Sequence, residues 1–382
     1  MSTSRDHSGF AHGSLTLPDV TITSYNLELR DDEGFVGDRA SGRAFRAILD
    51  ELRAKVGEVA DDPFGGLPSR ELKKKTLDRV LAEGDPIAAG IVHGAVEEFA
   101  TALAAVVRRF LRLKAWAPVE RVVVGGGLRH SRVGELAIGR AGVILKAERI
   151  PVDLVPLTHH PDQAGLIGCT RIMPSWLLEG FDAMLAVDVG GTNIRCGVVR
   201  LNTDEAADLS QADVWQFELW THADDKPNRE EAIDRLVEML KDLQAKAEKK
   251  GLRLAPLIGI GCPGLIDADG AIERGAQNLP GNWSSQRFNL PQVLREKIPS
   301  IGDHETVVVL HNDAVAQGLS QVPDMRDVAH WGVLTIGTGL GNASFATRGA
   351  EDAEKPKPKD KAKPKAKAKA KAGVKKAAGK KK

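Results

Sequence analysis

Apolar residues recur three and four positions apart over 42–59, where Phe45, Ile48, Leu49, Leu52 and Val56 share one stripe and predict an amphipathic helix. A longer helical stretch follows Pro86. VERVVVGGGL then reads as a β-branched strand entering a tight glycine turn. Residues 132–148 read as a helix, 152–156 as a strand and 162–179 as a helix. Near residue 182 the pattern changes. AMLAVDVGGT, RCGVVRL and VWQFELWTH predict a three-stranded meander. REEAIDRLVEMLKDLQAKAEKKG predicts an amphipathic helix stopped by Gly251. APLIGIGCPG is a strand and turn, TVVVLHND a strand running into the helix AVAQGLSQ, and WGVLTIGTGLGNASFATRG a strand, glycine turn and strand. This second part has the order expected for half of a two-lobed α/β protein.

Composition adds a division of charge. The 382 residues carry a net charge of +1, yet 355–382 hold 14 Lys and one Asp, which leaves −12 on the remainder. An acidic globular body and a cationic Lys/Ala/Pro tail are expected, the tail too poor in apolar residues to fold and hence disordered. With 42% hydrophobic and 27% charged residues, fibrous and wholly disordered classes are excluded. No run of about 18 apolar residues occurs, so no membrane span or membrane partner is expected. The start, MSTSRDHSGFAHG, has no apolar segment of a secretory leader. Cys169, Cys196 and Cys262 are too scattered for a disulfide framework or a metal cluster, and a cytoplasmic location is expected.

Four loops carry candidate chemistry. In DVGGT, Gly190 and Gly191 free the backbone N–H groups for phosphate oxygens, Thr192 adds a hydroxyl, and Asp188 at a strand end could hold Mg²⁺ through water. In TIGTGLG, Thr338, Gly339 and Gly341 form a second candidate phosphate loop. Either loop alone also fits an ordinary hairpin; two together could clamp a polyphosphate. Gly125, Gly126 and Gly127 end a strand, where α/β sheets bind ligands, although a plain tight turn fits equally. In LHNDAVAQG, Asp313 could accept a proton from a hydroxyl or could merely cap a helix, and Asn312 suits a polyol. Jointly these parts supply the positioning and charge neutralisation that phosphoryl transfer needs.

DVGGTNIRCGVV, GIGCPGLIDADG, NLPGNW, LHNDAVAQG and TIGTGLGNA together resemble the ROK family of bacterial sugar kinases and repressors, of the actin/hexokinase/Hsp70-like ATPase superfamily, over most of 8–347. Their order is rotated, because the GGG and AGLIG segments precede DVGGT. The resemblance therefore implies a circularly permuted, two-lobed actin-like ATPase fold with ribonuclease H-like lobes. Residues 183–330 would form the first lobe, 1–179 the larger part of the second, 331–349 the second lobe's first hairpin, and 350–382 the tail. It further implies ATP and Mg²⁺ as cofactors, Asp188 serving the metal, residues 190–192 and 338–341 the phosphates, and Gly125–Gly127 the adenosine. Asp313 would be the base on a sugar hydroxyl, with Asn312, Asn278 and His12 at the sugar. A small-molecule sugar is the expected partner, and a homo-oligomer the expected assembly.

The sequence departs from the family at three points. Gly9 and Gly37 stand where relatives carry sugar-binding glutamates, for which Asp6, Glu33 or Asp38 could substitute, and the family's zinc cysteines are missing, so no structural zinc is expected. The reading that follows is an ATP-dependent kinase of a hexose-like sugar. Its alternative is a catalytically silent nucleotide- or sugar-binding module tethered to a polyanion by its tail. The tail itself reads either as a solubilising extension or as a non-specific contact to nucleic acid or another polyanion.

Overall fold

A computed structural model of the protein describes residues 11–349; the tail, Gly9 and Asp6, on which some of the expectations above rest, lie outside the described residues. Ten strands build two mixed α/β sheets. In chain order they are β1 (Val20–Tyr25), β2 (Arg121–Gly125), β3 (Asp153–Pro156), β4 (Ala183–Val189), β5 (Ile194–Arg200), β6 (Asp213–Trp220), β7 (Leu254–Cys262), β8 (Val307–Asn312), β9 (His330–Ile336) and β10 (Leu340–Thr347). The helices used below are α1 (Gly42–Gly57), α2 (Lys74–Glu83), α3 (Pro86–Leu111), α4 (Arg132–Ala147), α5 (Pro161–Gly168), α6 (Arg229–Lys250), α7 (Leu290–Lys297) and α8 (Asp313–Leu319).

The first sheet has the order β8-β7-β4-β5-β6 and the second β1-β10-β9-β2-β3. In the first, β4, β5 and β6 form an antiparallel meander, and β7 and β8 extend it in parallel from β4. The second repeats this pattern with β9, β10 and β1 as the meander and β2 and β3 as the parallel pair. The chain order differs: the third strand of the second meander is β1, the earliest of the chain. Val20 pairs with Thr347, so β10 and β1 meet as two arms of a hairpin do.

Strand alternation sorts the side chains into layers. Along β4, Leu185 and Val187 join an outer core with Leu236, Leu240 and Leu243 of α6, whereas Met184 and Ala186 face a middle core. That middle core also receives Val123, Trp331, Val333 and Phe345 from the second sheet, and α5 and α8 lie in it. Helices α1–α4 cover the second sheet's other face. Local signals fix the ends of these elements. Asp85 caps α3 ahead of Pro86, and α6 opens on an Asn228–Glu231 capping box and stops at left-handed Gly251.

Two expectations change. The helix expected over 162–179 ends at Gly168 and tightens into a 3₁₀ turn, Cys169–Arg171; a second, Ser175–Leu178, follows Pro174, which disfavours helical backbone at Met173 and so interrupts the stretch. That helix, assigned to the second lobe, packs on β4, β5, β6 and β7 of the first sheet. Among the described residues α3 is long and apolar enough to cross a membrane by composition, yet its apolar side is buried against α1, α2 and α4.

Helix α5 approaches α8 so closely that a Cβ at Gly168 would lie 1.7 Å from the Ala316 carbonyl oxygen. Gly168→Ala is expected to lower stability by about 1–3 kcal/mol through forced separation of the two helices, read as a lower urea midpoint. An unchanged midpoint would show that α5 is not clamped there.

Candidate functional site

The strand alternation that carries Met184 and Ala186 into the middle layer carries Asp188 there too, at the end of β4. The side chain is 3% exposed. Gly165 leaves room for it, and Gly261 lets α8 pack against β7, where a Cβ would lie 2.9 Å from Ala316 Cβ. A Cβ at Gly165 of α5 would lie 2.7 Å from the Asp188 carboxyl carbon. A Cβ at Gly261 of β7 would lie 3.7 Å from Asp188 Oδ1 and 3.4 Å from Asp313 Cα. The chain thereby places Asp188 and Asp313 at the floor of one cleft of about 760 Å³.

The same cleft is lined by Gly190, Gly191 and Thr192 from the β4–β5 turn, and by Thr338, Gly339 and Gly341 from the β9–β10 turn. The two turns touch: Thr192 Oγ1 and Thr338 Oγ1 share a hydrogen bond of 2.8 Å. Gly126 and Gly127 line the cleft beyond β2, and Asn278 lies against Gly191, whose Cβ would come within 2.9 Å of it. Gly125 is buried below this surface, beside Leu157 and Gln317.

Three sequence-predicted residues, Gly125, Asn312 and His12, are not among those lining the cleft. Asn312 is 1% exposed and held on both sides. Its Oδ1 accepts from the N–H groups of Ala314 (3.0 Å) and Val315 (3.3 Å), and its Nδ2 donates to the Gly264 carbonyl (3.1 Å). The helix cap considered for Asp313 is therefore Asn312, and the polyol contact expected of Asn312 is corrected. Alternation explains the split, since Asn312 follows Val308 and Leu310 on the outer side. His12 lies along β8, where its Nδ1 accepts from Leu310 N–H (3.1 Å) and the neighbouring Gly13 N–H donates to the Leu310 carbonyl (3.0 Å). It extends the sheet edge instead of facing a sugar.

Electrostatics set the two carboxyls apart from ordinary ones. Burial pushes Asp188 above the usual carboxylate range, against the pull of Arg195 and with the help of Asp162. Asp313 is pushed up to about 7, first by lost hydration and then by the charge of Asp188. Arg195 donates to Asp162 through Nε (2.8 Å) and Nη2 (2.7 Å) and leaves its Nη1 3.5 Å from Asp188 Oδ2. This pair was missed in the sequence, although a signal existed: in the β4–β5 hairpin Arg195 stands directly opposite Asp188.

The donor set suits a hard divalent cation. Asp188 has one nearby guanidinium, already bound to Asp162, beside the neighbouring carboxyl of Asp313, and Mg²⁺ characteristically takes few carboxylates and completes its shell with water and phosphate. No group of three His, Cys, Asp or Glu side chains arranged to hold a metal occurs among the described residues, and the three cysteines are separately buried. At the position of the second family glutamate, Gly37 lines the cleft against Leu340, but Asp38 and Glu28 line it too. Glu33 instead pairs with Arg39 at 2.5 Å.

Partial likenesses to solved structures include three described as sugar kinases. A Listeria monocytogenes protein provisionally assigned as an N-acetylmannosamine kinase matches at 22% identity over 43% of this chain and 47% of its own, with a TM-score of 0.31. A provisionally assigned sugar kinase from Cytophaga hutchinsonii matches at 20% identity over 43% and 48%, with a TM-score of 0.32. The ROK hexokinase from Thermus thermophilus matches at 24% identity over 42% and 45%, with a TM-score of 0.28. The chain spans about half the length of each. No family model and no curated protein matches it.

The raised pKa of Asp313 has a consequence for stability. Between about 4 and 7 the folded protein holds a proton that the unfolded chain has released, so stability falls as pH rises through that window. Urea midpoints of the metal-free protein at pH 5 and pH 8 are expected to differ less in Asp313→Asn than in the parent. Equal pH dependence in both would contradict the shift.

Proposed function

We propose that this protein is an ATP-dependent sugar kinase of the ROK type. The observation that carries the reading is the convergence of two glycine–threonine turns, one from each sheet, on a cleft whose floor holds Asp188 and Asp313. One turn alone is a hairpin. Two that face each other supply N–H groups and hydroxyls from opposite sides, as a run of phosphates requires.

In this reading Asp188 holds Mg²⁺ through water, and the ion when bound neutralises phosphate charge. Thr192 and Thr338 exchange their mutual hydrogen bond for bonds to phosphate oxygens. Asp313 accepts the proton of the attacking sugar hydroxyl. A carboxyl with a pKa of about 7 is well matched to that task near neutral pH. Asp38 and Glu28 provide the hydroxyl-binding carboxylates that Gly37 lacks, with Asn278 beside the phosphate turn. Packing of α5 and α8 between the sheets buries the carboxyls from behind and leaves only their cleft side open.

A circular permutation of a two-lobed ATPase accounts for the order of the segments. Both sheets share one strand pattern, and the second matches the first strand for strand if β10 is followed by β1. Such a change is tolerable at a surface turn, since every strand keeps its partners. The buried free cysteines suit a reducing cytoplasm.

The test is ADP release over a panel of hexoses and aminohexoses. The parent is expected to turn over at least one sugar, and Asp313→Asn to lose about 100-fold or more in kcat. Parental turnover in the variant would remove Asp313 from the mechanism. Saturable ATP binding without transfer to any sugar would favour a silent binding module.

A further inference from the structure

Three cations line the cleft from the helices covering the second sheet: Arg43 and Arg46 in the first turns of α1, and Lys74 opening α2. None of them forms an ion pair among the described residues, whereas Arg195 in the same cleft is bound to Asp162. Their partners are backbone carbonyls. Arg43 Nε donates to the Thr338 carbonyl (3.0 Å), Lys74 Nζ to that of Gly127, and Arg46 Nη1 to those of Ser69 and Leu72.

Neutral carbonyls do not cancel a positive charge, and the cations crowd one another. Lost hydration holds the Lys74 ammonium below its ordinary range, and Arg46 and Arg195 add to this against Asp162 and Asp78. Lost hydration likewise lowers Arg46, opposed only by Asp50. No acidic residue lies in the first turn of α1 or α2, where the helix dipole would favour one. The group runs from the Gly127 turn to the Thr338 turn, the two ends of the glycine-rich wall. Arg43 and Lys74 are exposed and Arg46 half-buried, so water solvates them in the free cleft, and an anionic chain laid along this wall would gain charge-assisted hydrogen bonds from all three.

We propose that Lys74, Arg46 and Arg43 form a cationic arm that binds the phosphate chain of the donor nucleotide, alongside the Gly127 and Thr338 turns. The proposal rests on the reading of the cleft as a phosphate-donor site, and it assigns part of the donor affinity to helices α1 and α2.

Calorimetric titration of the full-length protein with adenosine, ATP and inorganic tripolyphosphate tests it, using Lys74→Met, Arg46→Met, their double variant and the surface control Lys55→Met. The arm variants are expected to weaken ATP and tripolyphosphate about tenfold each, with adenosine and thermal stability unchanged and the control like the parent. Equal loss of adenosine and ATP would overturn the proposal, since Lys74 would then only prop the Gly127 turn. Parental affinity for ATP and tripolyphosphate in the double variant would overturn it too, as would a parent that binds neither. A parent that binds tripolyphosphate through the arm but phosphorylates no sugar would retain the anion site while refuting the kinase reading.

Discussion

Two carboxyl groups that repel each other are held together in the middle layer of this protein. Asp188 is carried inward by β4, and Asp313 opens α8 directly after β8. Bringing them onto one floor sacrifices hydration, and burial is the larger cause of both raised pKa values. The glycines at 165 and 261 exist at points where a methyl group would push these elements apart. Much of the surrounding packing follows from that requirement: short α5, short α8 and a core shared by both sheets.

The charges around the floor are graded. Arg195 is fixed by Asp162 and offers Asp188 only a distant nitrogen, so the pocket stays short of positive charge at its base. Higher on the wall, Arg43, Arg46 and Lys74 leave it short of negative charge. A phosphate chain accompanied by a divalent cation would balance both deficits at once. This separation of opposite deficits along one cleft is the physical content of the kinase reading.

Strands and layers were readable in the sequence because their periods are strong. The meander from Ala183 to Trp220 and the glycine turns at 190–191 and 339–341 occupy the places that alternation and turn chemistry predict. Side-chain roles at strand ends were less readable. Asn312 and Asp313 are adjacent and chemically alike, and only the face each takes separates a helix cap from a cleft carboxyl. His12 was placed by a motif, while its hydrogen bond to β8 depends on a partner 298 residues away. Arg43 sits in the amphipathic helix predicted over 42–59 and Lys74 in a stretch with no predicted element, and nothing local ties them to Thr338 or Gly127. Arg195 was within reach, since the hairpin register alone sets it against Asp188.

The most direct measurement is a crystal structure with Mg²⁺ and a non-hydrolysable ATP analogue. The phosphates should lie between Thr192 and Thr338, with the direct hydrogen bond between those hydroxyls replaced and the metal joined to Asp188 through water. A nucleotide bound elsewhere, with the Thr192–Thr338 bond intact and Asp188 still facing Arg195, would contradict the shared-cleft interpretation.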